Sequence, residues 1–164
     1  MTSLGVLFAL SPRQLRRLES AGDDDDEVMS AIEAIEEAWE EDHLLELDKS
    51  WDAIHRALTD GSLAYDGGSF PLSHAILGGT SLYGGEDYIV SFKSADDVDA
   101  IATGLTTIDA EAMGDRYDTL VPADYDPSYG PEDRASTISA FRDLARFYAE
   151  SAEASRAVIF TVDQ

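Results

Sequence analysis

Hydrophobic residues along this chain form short continuous runs and longer stretches with helical spacing. The runs at residues 4–10 and 157–162, and the alternating segment 88–92, are typical of buried strands. Between them, apolar residues recur every three or four positions, which is the spacing of an amphipathic helix. The predicted helices span residues 12–21, 24–41, 48–58, 71–77, 95–104, 109–117 and 131–154. This order of elements predicts a helix-rich α/β fold with a small mixed sheet.

Several predicted helix ends carry residues that favour capping. Ser11 precedes Pro12, which suits the first helical position, and Ser94 precedes the helix that begins at residue 95. Asp48 is a candidate N-cap for the helix over residues 48–58. The predicted buried stripe of the second helix consists of Val28, Ile32, Ile35 and Trp39.

Acidic residues dominate the composition. The chain has 164 residues, with 34 acidic side chains against 11 lysines and arginines, and its net charge is −23. A field this negative repels phosphate backbones and anionic lipids, so we expect binding neither to nucleic acid nor to a membrane surface. The chain is 44% hydrophobic, which is enough for a folded core, and its length suits one domain over residues 1–164.

The sequence also bears on the cellular compartment. The first residues lack the basic segment and the long apolar segment of a signal peptide, and we therefore expect a cytoplasmic protein. No apolar run approaches the roughly 18 residues that a transmembrane helix needs. The chain has no cysteine, which excludes disulfides and thiolate metal sites. Monomer and homodimer remain equally open.

Two segments carry a family resemblance. Residues 47–61 read LDKSWDAIHRALTDG, and residues 71–78 read PLSHAILG. Together they resemble the signature of the bacterial YfbM-like family, a domain of unknown function. The strand and helix at the start of the chain, and the long helix and strand at its end, fit the same family. The resemblance implies a three-layer α/β/α fold with a mixed sheet, and it implies no activity.

The first of these segments contains a candidate binding site. Lys49, Asp52 and His55 are three residues apart and share one stripe of a helix. A carboxylate beside an imidazole can orient it and raise its pKa, which favours a general base. Lys49 near the helix start could hold an anionic group, and Trp51 could form a wall of the pocket. This interpretation predicts a small-molecule-binding or hydrolytic protein.

A purely structural interpretation of the same segment is favoured. In that interpretation Trp51 packs in the core, Asp52 pairs with Arg56, and His55 bonds a backbone carbonyl. Spacing ties no second catalytic group to Lys49, Asp52 and His55, so the sequence does not decide whether the protein is an enzyme.

Metal and phosphate motifs fail at identifiable positions. The three histidines are 12 and 19 residues apart and form no zinc pattern. The predicted loop 118–130 starts like an EF-hand at Asp124, but Tyr129 replaces the required glycine and Ala135 the bidentate glutamate. Residues 79–86 have P-loop glycine spacing without its lysine and hydroxyl residue. We therefore predict neither a metal nor a cofactor.

The acids are segregated along the chain. Residues 23–48 contain 13 acidic side chains and neither lysine nor arginine, and residues 57–115 contain ten acids and one basic residue, Lys93. One interpretation is a docking face for a basic protein partner, as in an inhibitor or immunity-type protein. The other is a solvated surface that serves solubility alone. The preferred function is a non-catalytic, acidic protein-binding domain, with the pocket around Lys49, Trp51, Asp52 and His55 as the alternative.

Overall fold

A computed structural model describes residues 4–65, 67–120 and 130–163 of the chain. Its strands are β1 (Gly5–Ala9), β2 (Leu44–Asp48), β3 (Thr80–Ser81), β4 (Tyr88–Lys93) and β5 (Val158–Asp163). Its α-helices are α1 (Pro12–Ala21), α2 (Asp25–Ala38), α3 (Ser50–Leu58), α4 (Ala95–Leu105), α5 (Ala110–Leu120) and α6 (Gly130–Glu153). Short 3₁₀ turns cover Glu41–His43 and Leu72–His74. Within the described ranges, no helix is both long and apolar enough to cross a membrane.

The five strands form one sheet in the order β2-β1-β5-β4-β3. Every pair of neighbours runs antiparallel, with Leu7 opposite Phe160 and Val90 opposite Thr161. The expected mixed sheet is therefore wrong in this detail. The reason is the position of β5, which lies between β1 and β4 and runs opposite to both.

Helices cover both faces of the sheet, because alternate residues of each strand point to opposite sides. Leu7 of β1 and Phe160 of β5 belong to a core shared with α3, α4, α5 and α6. Phe8 and Ile159 point to a second core, which is filled by α1 and α2. The three-layer, helix-rich α/β fold that the resemblance implies is confirmed.

Capping explains where two of the helices begin. The hydroxyl of Ser11 accepts from the backbone N–H of Gln14, and the Gln14 side chain accepts from the backbone N–H of Ser11. Ser94 and Asp97 form the same reciprocal arrangement at the start of α4. Both arrangements satisfy N–H groups that a helix cannot pair internally, as the sequence predicted for these two ends.

The second helix ends three residues earlier than predicted. Trp39 adopts a left-handed conformation with φ of 40°, and its N–H bonds back to the carbonyl of Ile35. Trp39 is consequently 37% exposed, although its spacing placed it on the buried stripe. Its ring still packs edge-on against Phe8, with 6.0 Å between the centroids.

Strand β2 was not predicted, and it changes the role of Asp48. The segment lies at the edge of the sheet, and Leu47 is its one fully buried residue, so its hydrophobic pattern is weak. Asp48 ends the strand with φ of 48° rather than capping α3. The N-cap position belongs to Lys49, whose side chain makes no capping hydrogen bond.

Two other predicted segments differ in detail. The expected helix over 71–77 is a 3₁₀ turn at Leu72–His74 followed by further turns. The expected loop at 118–130 overlaps α5, which continues to Leu120. Residues 121–129, including the first half of the EF-hand-like segment, lie outside the described residues.

Candidate functional site

Trp51 lies in the core beneath the sheet. Its side chain is buried, and its ring lies 5.6 Å from that of Phe160, centroid to centroid. Both rings press on β1 at Gly5, where an added Cβ would come within 2.7 Å of each. The strand can pass over the two rings only because Gly5 has no side chain. Trp51 thus fixes α3 against the sheet.

Asp52 pairs with Arg56 rather than with His55. The Arg56 Nε donates to the Asp52 carboxylate at 2.6 Å, across one turn of α3. The Arg56 side chain is only 8% exposed, and its Nη1 also reaches the carbonyl of Gly61 at 3.4 Å. This pair holds the turn after α3 against the helix.

His55 is completely buried. Its Nε2 lies 2.8 Å from the carbonyl oxygen of Ala64, which can only accept, so the proton resides on Nε2. Its Nδ1 is buried without a hydrogen-bond partner among the described residues. Burial lowers the pKa of His55 and the charge of Lys93 adds to that effect, whereas the Ala64 bond and the carboxylates of Asp52 and Asp60 oppose it. The imidazole is therefore a neutral ring that anchors the loop after α3.

The four predicted site residues consequently have different surroundings. Lys49 is exposed, Asp52 is ion-paired, and Trp51 and His55 are buried. The expectation that Asp52 orients the imidazole of His55 as a general base is not met, because that carboxylate bonds Arg56. A binding role for Lys49, Trp51, Asp52 and His55 stays a prediction.

A buried lysine was missed by the sequence interpretation. Lys93 at the end of β4 is fully buried, and its Nζ bonds the carbonyl of Ile76 at 2.5 Å and the hydroxyl of Ser91 at 2.9 Å. The Ser91 hydroxyl also lies 2.9 Å from the carbonyl of Leu77 and 3.0 Å from that of Gly78. This network holds the 76–78 turn on the sheet.

The environment of Lys93 shifts its titration. Burial places the pKa of Lys93 well below its usual value, and the carboxylate of Asp97 opposes that shift only in part. The strand alternation contained the signal for this position. Lys93 has the same parity as Ile89 and Ser91, opposite to Val90, and therefore faces the core of α3–α6 rather than solvent.

Most acids of residues 23–48 are exposed, and we term these 13 residues the acidic face. Twelve of the 13 are exposed, and the thirteenth, Glu36, is half-buried and accepts a hydrogen bond from the Tyr88 hydroxyl. The exposed members are Asp23, Asp24, Asp25, Asp26, Glu27, Glu33, Glu37, Glu40, Glu41, Asp42, Glu46 and Asp48. In the part of the chain that the structure describes, none of them forms an ion pair.

Known proteins share both the sequence profile and the architecture of this chain. The profile of a domain of unknown function, DUF1877, matches residues 1–161. The chain belongs to the DUF1877 family. The crystal structure of YfbM, a protein of unknown function from Escherichia coli, is similar to this DUF1877 domain with a TM-score of 0.70 and 18% identity. The match covers 97% of this chain and 99% of YfbM, and it shows a common fold. No curated protein matches the chain.

The DUF1877 assignment confirms the resemblance that segments 47–61 and 71–78 indicated. In this member, the first segment is largely built into the core, where Trp51 and His55 are buried. A shared fold does not carry an activity with it. Function must therefore be argued from the surfaces that this DUF1877 domain exposes.

Proposed function

We propose that this protein is a non-catalytic binding domain that engages a basic protein partner through its acidic face. An inhibitor or immunity-type role is the form of this function that we favour. The observation that carries the proposal is the presence of acids where the fold does not benefit from them.

Acids at the start of α2 have a structural explanation. Asp24 caps the helix by accepting from the N–H groups of Asp26 and Glu27. Asp25, Asp26 and Glu27 occupy the first turn, where the helix macrodipole favours negative charge. These four residues stabilise α2 and need no partner.

Acids at the other end of α2 have no such explanation. Glu37 lies in the last turn, where the macrodipole disfavours a carboxylate, and that turn contains no basic residue. Glu40, Glu41 and Asp42 follow directly and are all exposed. Close carboxylates without cations repel one another, so this arrangement lowers the stability of the free protein. A basic partner would remove that repulsion.

An exposed aromatic residue lies within this acidic end. Trp39 stands between Glu37 and Glu40, and its left-handed backbone holds the indole partly in solvent. Tryptophan is enriched among the residues that dominate protein interfaces, and its ring attracts lysine and arginine side chains. The combination of Trp39 with the flanking acids suits recognition of a basic surface.

The test is co-purification at low and physiological salt from the source lysate. The test variant carries Glu33→Gln, Glu37→Gln and Glu41→Gln, and the control carries Asp99→Asn, Glu111→Gln and Glu153→Gln, three exposed acids elsewhere. We expect a basic protein that binds the wild type and the control, is lost from the test variant and weakens with salt. The Debye length falls from about 30 Å at 0.01 M to about 8 Å at 0.15 M salt.

Two results would overturn the proposal. One is the absence of any basic protein from the low-salt eluate of the wild type. The other is equal retention of that protein by the test variant and the control, which would show that net charge rather than the acidic face determines binding.

A further inference from the structure

A groove between α1 and α2 is lined by polar side chains of α1 and by small apolar side chains of α2. Its volume is about 330 Å³, which falls within the range of small-molecule sites. One wall is polar and comes from Arg13, Gln14 and Arg17 of α1. The facing wall comes from α2, where the spacing of residues three and four apart brings alanines to one stripe. The alanines of that wall are Ala31, Ala34 and Ala38.

The two arginines of the groove have no acidic partner among the described residues. Across the described residues, neither Arg13 nor Arg17 forms an ion pair, although the chain has 34 acids and α2 is adjacent. Arg17 makes one side-chain hydrogen bond, from Nη2 to the hydroxyl of Ser30 at 3.0 Å. Glu40 at the end of the groove is the carboxylate that lines it. The α1 wall therefore keeps most of its hydrogen-bond donors available.

We infer that this groove binds a small organic anion, with its carboxylate or phosphate between Arg13 and Arg17 and its apolar body on the alanine wall. A guanidinium presents paired donors that match both oxyanions. Alanine leaves space that a larger side chain would fill, and it offers apolar contact without a competing hydrogen bond. The inference does not depend on the proposed binding of a basic protein.

Three aromatic probes separate the contributions to binding. Benzoate carries a carboxylate, phenyl phosphate carries a phosphate, and benzamide has the shape of benzoate without its charge. Each is titrated into ¹⁵N-labelled full-length protein, and amide and arginine Nε–H shifts are followed. We expect saturable shifts at Arg13, Arg17 and Ala34 with one or both anions, and much weaker shifts with benzamide.

Matched variants locate the site. The double variant Arg13→Gln/Arg17→Gln should lower the affinity for the anion by at least about tenfold. Each charge-assisted hydrogen bond contributes about a factor of ten to the binding constant. Arg16→Gln is the control, because Arg16 is exposed on the same helix but does not line the groove. Ala34→Phe should abolish binding by filling the groove, and the amide spectrum of each variant confirms that it is folded.

Three results would overturn the inference. They are the absence of saturable shifts with both anions, benzamide binding as tightly as benzoate, and equal loss of affinity in the Arg16→Gln control. A difference between benzoate and phenyl phosphate would identify which oxyanion the arginines prefer.

Discussion

At the scale of single residues, Gly5 shows how one missing side chain sets the sheet on α3. Its Cα faces the rings of Trp51 and Phe160 so closely that a Cβ would lie 2.7 Å from an atom of each. The strand register with β5 and the packing of α3 therefore both depend on this position.

We predict that Gly5→Ala destabilises the protein by about 1–3 kcal/mol, because it overpacks a dense core. Urea unfolding followed by circular dichroism measures the change. Adding Phe160→Leu to Gly5→Ala should recover part of the loss, since the smaller side chain makes room for the new methyl group. If the stability loss of the double variant equals the sum of the losses caused by Gly5→Ala and by Phe160→Leu alone, the clash is not the cause.

Lys93 is the second residue whose surroundings determine a measurable property. Its pKa is well below the usual value in the folded protein because the side chain is buried. The unfolded chain has the ordinary pKa, about 10.4. Between these two values the unfolded chain binds one more proton, so stability rises with pH over that window.

We predict that Lys93→Met removes this rise in the free energy of unfolding. For one proton, the rise is at most about 1.4 kcal/mol for each pH unit. The free energy of unfolding is compared at several pH values from 7 to 9.5, below the titration of the tyrosines. Lys49→Met is the control for the loss of one lysine, because Lys49 is exposed. Parallel pH profiles for the wild type and Lys93→Met would contradict the prediction.

At the scale of elements, α2 carries two groups of acids with opposite effects on the helix. The first turn contains Asp25, Asp26 and Glu27, whereas Glu37 lies in the last turn. A carboxylate in the first turn stabilises the helix by about 0.3–1 kcal/mol, and one in the last turn destabilises it by a similar amount. The same residue type is thus favourable at one end of the element and costly at the other.

We predict that Glu37→Lys raises the free energy of unfolding by about 0.5–1 kcal/mol. The matched control is Glu27→Lys, which changes the net charge equally but places a cation at the unfavourable end. Both variants reduce the repulsion among the acidic side chains equally. Only the difference between their free energies of unfolding therefore reports the effect of the macrodipole. Equal stabilities would mean that the last turn does not experience the expected field.

The elements also show what a single sequence can predict. The strong periodicity of α1, α4 and α6 and the apolar runs of β1 and β5 gave their positions within a few residues. Strand β2 was not predicted, because an edge strand with one buried residue shows almost no alternation of apolar and polar residues. The antiparallel direction of the strands was not predicted either. It depends on which strands become neighbours, and β5, from the far end of the chain, lies between β1 and β4.

The candidate site was predictable in part. The favoured structural interpretation described Trp51 in the core, the Asp52–Arg56 pair and the bond from His55 to a backbone carbonyl. It could not find the effect of the Lys93 charge on the pKa of His55, because the two residues are 38 positions apart and only the tertiary fold brings them near each other. Local spacing carries information about contacts within a helix and little about contacts between elements.

At the scale of the whole molecule, the two halves of the α1–α2 pair differ sharply in charge. Arg13 and Arg17 of α1 line the groove together with alanines of α2 and Glu40, while the exposed acids of α2, with Glu41 and Asp42, belong to the acidic face. The net charge of −23 is therefore not evenly distributed. A partner approaching the molecule would meet a strongly negative potential at one side.

The two tryptophans can measure that potential, because Trp39 is 37% exposed within the acidic face and Trp51 is 6% exposed in the core. We predict that caesium ions quench Trp39 fluorescence more strongly than iodide ions, since the neighbouring carboxylates concentrate cations and repel anions. Subtracting the emission of Trp39→Phe from that of the wild type isolates the Trp39 signal. Acrylamide, which has no charge, reports exposure alone.

Added sodium chloride should bring the caesium and iodide quenching of Trp39 closer together, because the Debye length shortens from about 30 Å at 0.01 M to about 8 Å at 0.15 M salt. The Glu33→Gln/Glu37→Gln/Glu41→Gln variant should reduce the difference at low salt, and the Asp99→Asn/Glu111→Gln/Glu153→Gln control should leave most of it. Equal reduction in both variants would assign the potential to the net charge of the molecule. A larger effect in the first variant assigns it to the acidic face, which is the property that recognition of a basic partner requires.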